Sequence, residues 1–257
     1  MSKARNAKLI VALALLGAVS VVIFLPYYAA TLGDTLEKQA VPAAAAYAAF
    51  VIQTALLVLL ASWLGVTAGS RVGLDAPWLR ALMYGGRRPA WSGKWLLLAV
   101  GVSLAGSLAV AALQAWVFGP YLPDLETAGP IAWWKTLLTM FYGGIVEEIL
   151  LRVGLMSVLV WLGSVALRKR EAGAIPSYVY AAAIVLSTLL FGAGHLPAAS
   201  VLADGLTGPL IGWVLVGNGL LGLWFGYLYW KKGLEYAVIA HMSADLWLHA
   251  VIGPLSQ

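Results

Sequence analysis

Apolar runs of about 20 residues recur from one end of this chain to the other, and no polar stretch between them is long enough to fold on its own. Such runs match the ~30 Å of hydrocarbon that a helix must cross, so the pattern is that of a polytopic membrane protein. The composition agrees: of 257 residues, 62% are hydrophobic and only 11% charged. In lipid only helices and closed barrels satisfy their own backbone hydrogen bonds, and these runs are too long and too evenly apolar for barrel strands. The expected fold is all-α, a transmembrane bundle of about seven helices (six to eight), with spans near 8–30, 42–66, 95–118, 133–167, 177–196, 209–230 and 234–252. Residues 1–257 are expected to form one integral membrane domain.

Charge sets the expected orientation. The N-terminus, the 71–94 loop (Arg71, Arg80, Arg87, Arg88, Lys94), the turn at Arg168-Lys169-Arg170 and Lys231-Lys232 are basic, and they alternate with Asp34/Glu37, Asp124/Glu126 and Asp204. By the positive-inside rule the basic set, and with it the N-terminus, faces the cytoplasm. The same rule accounts for the net charge of +5 without nucleic acid as a partner. The first run follows Lys3, Arg5 and Lys8 like a signal peptide, but it meets Pro26-Tyr27-Tyr28 without a small-residue cleavage site, so an uncleaved first span is expected. Trp91, Trp95, Trp133, Trp134 and Trp230 stand near span ends as interfacial anchors. There is no cysteine, which excludes disulfides, thiolate zinc sites and a cysteine nucleophile.

Against this background three polar clusters stand out: Glu147-Glu148 with Arg152, His195, and His241 with Asp245. Each ionisable group in a transmembrane segment costs roughly 2.5–3.5 kcal/mol on insertion scales, so their retention points to chemistry. Glu148 and Arg152 are four apart, acid first, and pair on one helix face as a mutually neutralising strut. Glu147, about 100° further round, has no basic residue three or four positions on and is free to act as a general base. His195 shares a face with Phe191, and Gly192 and Gly194 allow close approach beside it. Asp245, four residues after His241, either orients its imidazole or points with it at a shared ligand. Gly217, Gly219, Gly222 and Gly226 make a small-residue packing face on the sixth span; Gln53, Gln114 and Asn218 are read as packing residues and His249 as interfacial.

Two geometric expectations follow. A helical span from Lys135 to Arg168 would be roughly 50 Å long, so part of it must protrude, tilt or break. For His241 to meet Glu147 and His195 near mid-membrane, the hairpin carrying the latter two must project about 15 Å further into the cytoplasm than the turn at 231–233.

The set Glu147-Glu148-x-x-x-Arg152, Phe191-x-x-x-His195 and His241-x-x-x-Asp245, in this order, resembles the CPBP intramembrane proteases, also called type II CAAX prenyl endopeptidases or the Abi family. The resemblance covers about residues 130–250; it makes 130–252 the catalytic core and leaves 1–125 as N-terminal spans without an assigned role. It implies an intramembrane endopeptidase in which Glu147 and His195 activate water, while His241 and residue 245 bind the scissile carbonyl and its oxyanion, with Glu148, Arg152 and Phe191 in support. The family often carries Asn where this chain has Asp245; an ionised aspartate cannot donate to an oxyanion, so Asp245 must be protonated, orient His241 or ligate a metal. Glu147, His195 and His241 would be the ligands if zinc were used, but there is no HExxH motif and the resemblance favours a metal-free, glutamate-activated water. The implied partners are the bilayer and a membrane-associated protein or peptide substrate, and the implied location is the bacterial inner membrane. Prenylated substrates belong to eukaryotic relatives; for a bacterial chain, exported peptides, anchored proteins or sorting tails are the expected class. The rivals are a noncatalytic membrane scaffold and a proton-coupled transporter, the latter disfavoured by the lack of an inverted repeat.

Overall fold

The computed structural model describes residues 4–38, 40–122, 131–169, 171–203 and 205–253, and among these it contains helices and no strand. We number the helices α1 (Ala4–Lys38), α2 (Ala43–Val72), α3 (Pro77–Tyr84), α4 (Gly93–Leu113, wound on to Tyr121), α5 (Trp133–Ala166), α6 (Ser177–Leu202), α7 (Gly208–Lys232) and α8 (Leu234–Asp245, continuing to Ile252). Six of them, α1, α2, α4, α5, α6 and α7, are long and apolar enough to cross a membrane. The seventh expected span is present as helix α8, but Glu235, His241, Asp245 and His249 dilute its apolar character.

Lipid supplies no hydrophobic drive between helices, so close packing must hold the bundle, and small residues mark the crossings. A methyl group on Gly17 of α1 would run into Val58 of α2, one on Gly65 of α2 into the Val153 backbone of α5, and one on Gly163 of α5 into Val179 of α6. In α7, Gly222 faces Thr188 and Gly226 faces Ile184, both on α6. These two use the glycine face expected of the sixth span, whereas Gly219 borders open space and Gly217 meets only Trp213 of its own helix. Asn218 donates to the Val214 carbonyl within α7 at 2.8 Å. Gln53 and Gln114 are exposed rather than buried in a helix interface, so the packing role expected of them is not where they sit. An amide on an exposed face meets no neighbouring helix.

The basic segments gather at one end. Lys8 donates its backbone N–H to the Tyr84 hydroxyl, Leu234 donates to the Asp75 carbonyl at 3.1 Å, and Tyr180 donates to the Val72 carbonyl at 2.6 Å. Glu235, at the start of α8, accepts from the backbone N–H of Leu79 at 2.9 Å, giving one of the orphan donors of the first turn of α3 a partner from another helix. Lys231 lies over the Trp230 ring at 3.3 Å and Lys232 over Trp95 at 4.2 Å, while Trp91, Trp133 and Trp134 are exposed, as interfacial anchors require. Of the acidic residues expected at the other end, Asp124, Glu126 and Asp204 lie outside the described residues.

The level of the basic ends corrects one expectation. Tyr180, near the start of α6, stacks on Trp230, near the end of α7, with centroids 4.9 Å apart and planes at 10°. The two turns are therefore level, and the 15 Å projection is absent. Since the three site residues nevertheless meet, the helices that carry them are inclined to one another rather than parallel.

Candidate active site

The long fifth helix does break, and it does so at the site. After two short helical turns and a loosened turn at Leu137-Leu138, its backbone is π-helical over Tyr142–Glu147 and again over Ile149–Met156, before an ordinary α-helix resumes at Ser157. Single π turns inside α-helices are concentrated at functional sites, because the wider turn re-aims side chains. Here the widened segment carries Glu147, Glu148 and Arg152.

Glu147 faces two imidazoles from two other helices. Its Oε1 lies 3.7 Å from Nε2 of His195 on α6, and its Oε2 lies 3.6 Å from Nε2 of His241 on α8. The other ring nitrogen of each histidine is committed. His195 Nδ1 lies 2.9 Å from the Phe191 carbonyl, which can only accept, so Nδ1 carries the proton and Nε2 turns toward Glu147. His241 Nδ1 lies 2.9 Å from Oε1 of Glu148. The sequence-based pairing of His241 with Asp245 is thus replaced: Asp245 Oδ1 stands 3.8 Å from Nε2, beyond a hydrogen bond, and the carboxylate that orients His241 is Glu148.

Glu148 does two jobs. Its Oε2 lies 3.4 Å from Arg152 Nε, the expected four-residue pair, with both side chains wholly buried. Arg152 reaches Ser187 of α6 through Nη1 at 3.5 Å, and its backbone carbonyl accepts from Ser157, whose hydroxyl in turn takes the hydrogen of Tyr229 at 2.9 Å. The pair therefore ties α5 to α6, α7 and α8 together. Rings close the site: Phe191 meets His195 edge-on at 4.7 Å, and Phe225 of α7 stacks on His241 at 4.4 Å and 19°. On the fourth side, a methyl on Gly143 would collide with Asp245 Oδ2 and lie 3.0 Å from His241 Nε2, and one on Gly144 would collide with Met242.

The polar clusters singled out in the sequence thus converge on one small volume walled by four helices, α5, α6, α7 and α8. Residues 129–247 match the family described as type II CAAX prenyl endopeptidase, Rce1-like. Over this segment, a little under half of its length, the chain is similar to that family. No curated protein and no solved structure matches the chain.

The family match ends two residues after Asp245 and begins just before α5, so every polar cluster of the CAAX endopeptidase pattern lies inside it. The match supports an intramembrane endopeptidase activity in general. Among the described residues no group of three or more His, Asp and Glu side chains is disposed to hold a metal ion. Three site residues escaped sequence reading. Phe225 gave no signal, being one aromatic among many in an apolar helix. Gly143-Gly144, immediately upstream of the glutamates, could have been read as the close approach of a neighbouring helix. His249 follows Asp245 by four positions and is exposed.

Proposed function

We propose that this chain hydrolyses a peptide bond of a membrane-associated protein or peptide with a water activated by Glu147 and His195, without a metal. The observation that carries the reading is the Glu147 carboxylate set 3.7 and 3.6 Å from Nε2 of His195 and of His241, in a pocket closed by Phe191 and Phe225. Glu147 takes a proton from the water as its oxygen attacks the carbonyl carbon, and the electron pair of the C=O bond moves to oxygen. His241 acts as an imidazolium, with Nδ1–H held by Glu148 and Nε2–H turned first to Glu147 and then to the oxyanion, so its charge offsets the Glu147 carboxylate before the proton transfer and the oxyanion after it. Collapse re-forms the carbonyl and breaks the C–N bond, and the amine leaves with the proton from Glu147. Glu148 and Arg152 hold the base and the oxyanion donor in register. In this reading the basic end faces the cytoplasm of a bacterial inner membrane, and the substrate is an exported or membrane-anchored chain.

Protein termini compared by mass spectrometry, in membranes of a deletion strain carrying wild type or Glu147→Gln at matched levels, test this. A defined set of termini found only with wild type, and persisting in membranes treated with a zinc chelator, is expected. Indistinguishable termini, with both versions rescuing the same phenotype, would leave the scaffold instead. Termini lost on chelation and restored by zinc would make Glu147, His195 and His241 ligands.

A further inference from the structure

Away from the active site, α2 and α5 end side by side at the basic end of the bundle around a cavity of about 510 Å³ lined by Arg71, Trp161, Ser164, Val165, Arg168 and Lys169. Three cations from two elements converge on it. Among the described residues none of the three takes part in an ion pair. A single cation at each helix end would be accounted for by the helix dipole. Three like charges around one concavity repel one another and call for an anion.

The cavity is also built rather than accidental. The Arg71 guanidinium lies over the Trp161 ring at 5.6 Å, which fixes its position on the wall. At the end of α5 the chain turns through Arg168 with φ 54°, the backbone N–H of Arg168 donates to the Val165 carbonyl at 3.0 Å, and the backbone N–H of Lys169 donates to the Ser164 carbonyl at 2.8 Å. This helix end ordinarily takes glycine at the left-handed position, and here it takes arginine, directed with Lys169 onto the cavity. The walls continue below the charges as apolar surface: Val165 and Leu162 are 57% and 50% exposed on a helix that spans the membrane. A ligand that satisfies both parts carries a phosphate at the level of the basic end and acyl chains along α5.

We propose that this cavity binds the headgroup phosphate of an anionic phospholipid in the leaflet at the basic end, with Arg71, Arg168 and Lys169 as its ligands. Basic pockets between membrane helices are a known form of headgroup recognition, and an arginine binds a phosphate through paired charge-assisted hydrogen bonds. The lipid bridges the ends of α2 and α5, the two helices joined further in by the contact of Gly65 with the Val153 backbone, and so braces the helix that carries Glu147. The site stands independently of the proteolytic reading.

The test uses the full chain purified in neutral detergent and offered phosphatidylglycerol or phosphatidylcholine, with retained lipid counted by native mass spectrometry and thermal stability measured alongside. Wild type should retain phosphatidylglycerol severalfold over phosphatidylcholine and be stabilised by it. Arg168→Gly relieves the left-handed backbone and removes one cation, so it should be at least as stable as wild type in phosphatidylcholine yet lose most of the preference. The triple variant Arg71→Ala/Arg168→Ala/Lys169→Ala should lose the preference altogether. Arg87→Ala/Arg88→Ala, which removes as many charges as two of these from the same end but outside the cavity, should keep it. Equal retention of the two lipids, a wild-type preference in the triple variant, or the same loss in the Arg87/Arg88 control would overturn the proposal, as would full stabilisation by inorganic phosphate alone.

Discussion

At the scale of single residues, the site assigns its two adjacent glutamates opposite duties, and the difference is open to measurement. Glu148 balances a wholly buried arginine and also fixes the ring of His241. Glu148→Gln leaves Arg152 as an uncompensated buried charge, a loss of about 3–5 kcal/mol, so the folded yield in detergent should fall well below that of Glu147→Gln, with activity lost in both. Equal yields from the two variants would contradict this division. Asp245 is the second case. Its Oδ1 is 3.8 Å from His241 Nε2, too far to orient the ring, which leaves it a carboxyl that can serve an oxyanion only while it holds its proton. Asp245→Asn supplies a permanent donor of the same shape, so it should stay active, and Asp245→Ala should lose about a hundredfold. The proton is present at low pH and lost as pH rises, so wild-type activity should decline on the alkaline side while the Asn variant holds; an Asn variant as inactive as Ala would show that the charge itself is needed. The four-residue spacings of Glu148 with Arg152 and Phe191 with His195 were legible in the sequence because they lie within one helix turn. The bond from Glu148 to His241 was not, since spacing says nothing about which helices become neighbours.

At the scale of elements, the decisive feature is the π-helical stretch of α5 pressed against α8. The 34 residues of this span exceed what the bilayer requires, and that excess announced an irregularity without saying where it would fall. Its placement depends on Gly143 and Gly144, whose lack of side chains lets His241, Met242 and Asp245 approach the widened backbone. Gly143→Ala should push Asp245 and His241 away from Glu147: overpacking of this kind costs about 1–3 kcal/mol, so the protein should still fold, while turnover drops far more than substrate binding. The same substitution at Gly219, which borders open space, should change neither. If Gly143→Ala retained wild-type turnover, the approach of the two helices would not be what positions the site. The glycine face of α7 shows the limit of pattern reading in the same way: all four glycines satisfy the periodicity, but only the two turned toward α6 carry a crossing.

At the scale of the whole molecule, hydropathy made the bundle and its spans readable, α8 included although the site residues dilute its apolar character, while the short helix α3 lay inside what reads as a basic loop. What hydropathy cannot convey is inclination, and so the depth at which residues on different helices meet. Orientation is the remaining global property, and it rests on charge. The 71–94 loop, the end of α5 and Lys231-Lys232 share one end of the bundle, so the positive-inside rule applies to them as a single set rather than loop by loop, and the orientation proposed from it, with that end in the cytoplasm, is open to test. The chain has no cysteine, so one introduced thiol reports one location. Arg87→Cys, in the basic loop, should be shielded from a membrane-impermeant maleimide in intact spheroplasts and react once they are permeabilised. Tyr121→Cys, 68% exposed at the far end of α4, should react in both conditions. The reverse pattern would invert the protein: Glu147 would keep its two histidines, but the end of the bundle that carries the basic lipid cavity would then face the opposite leaflet, where anionic phospholipid would have to be shown to be present for that site to be filled.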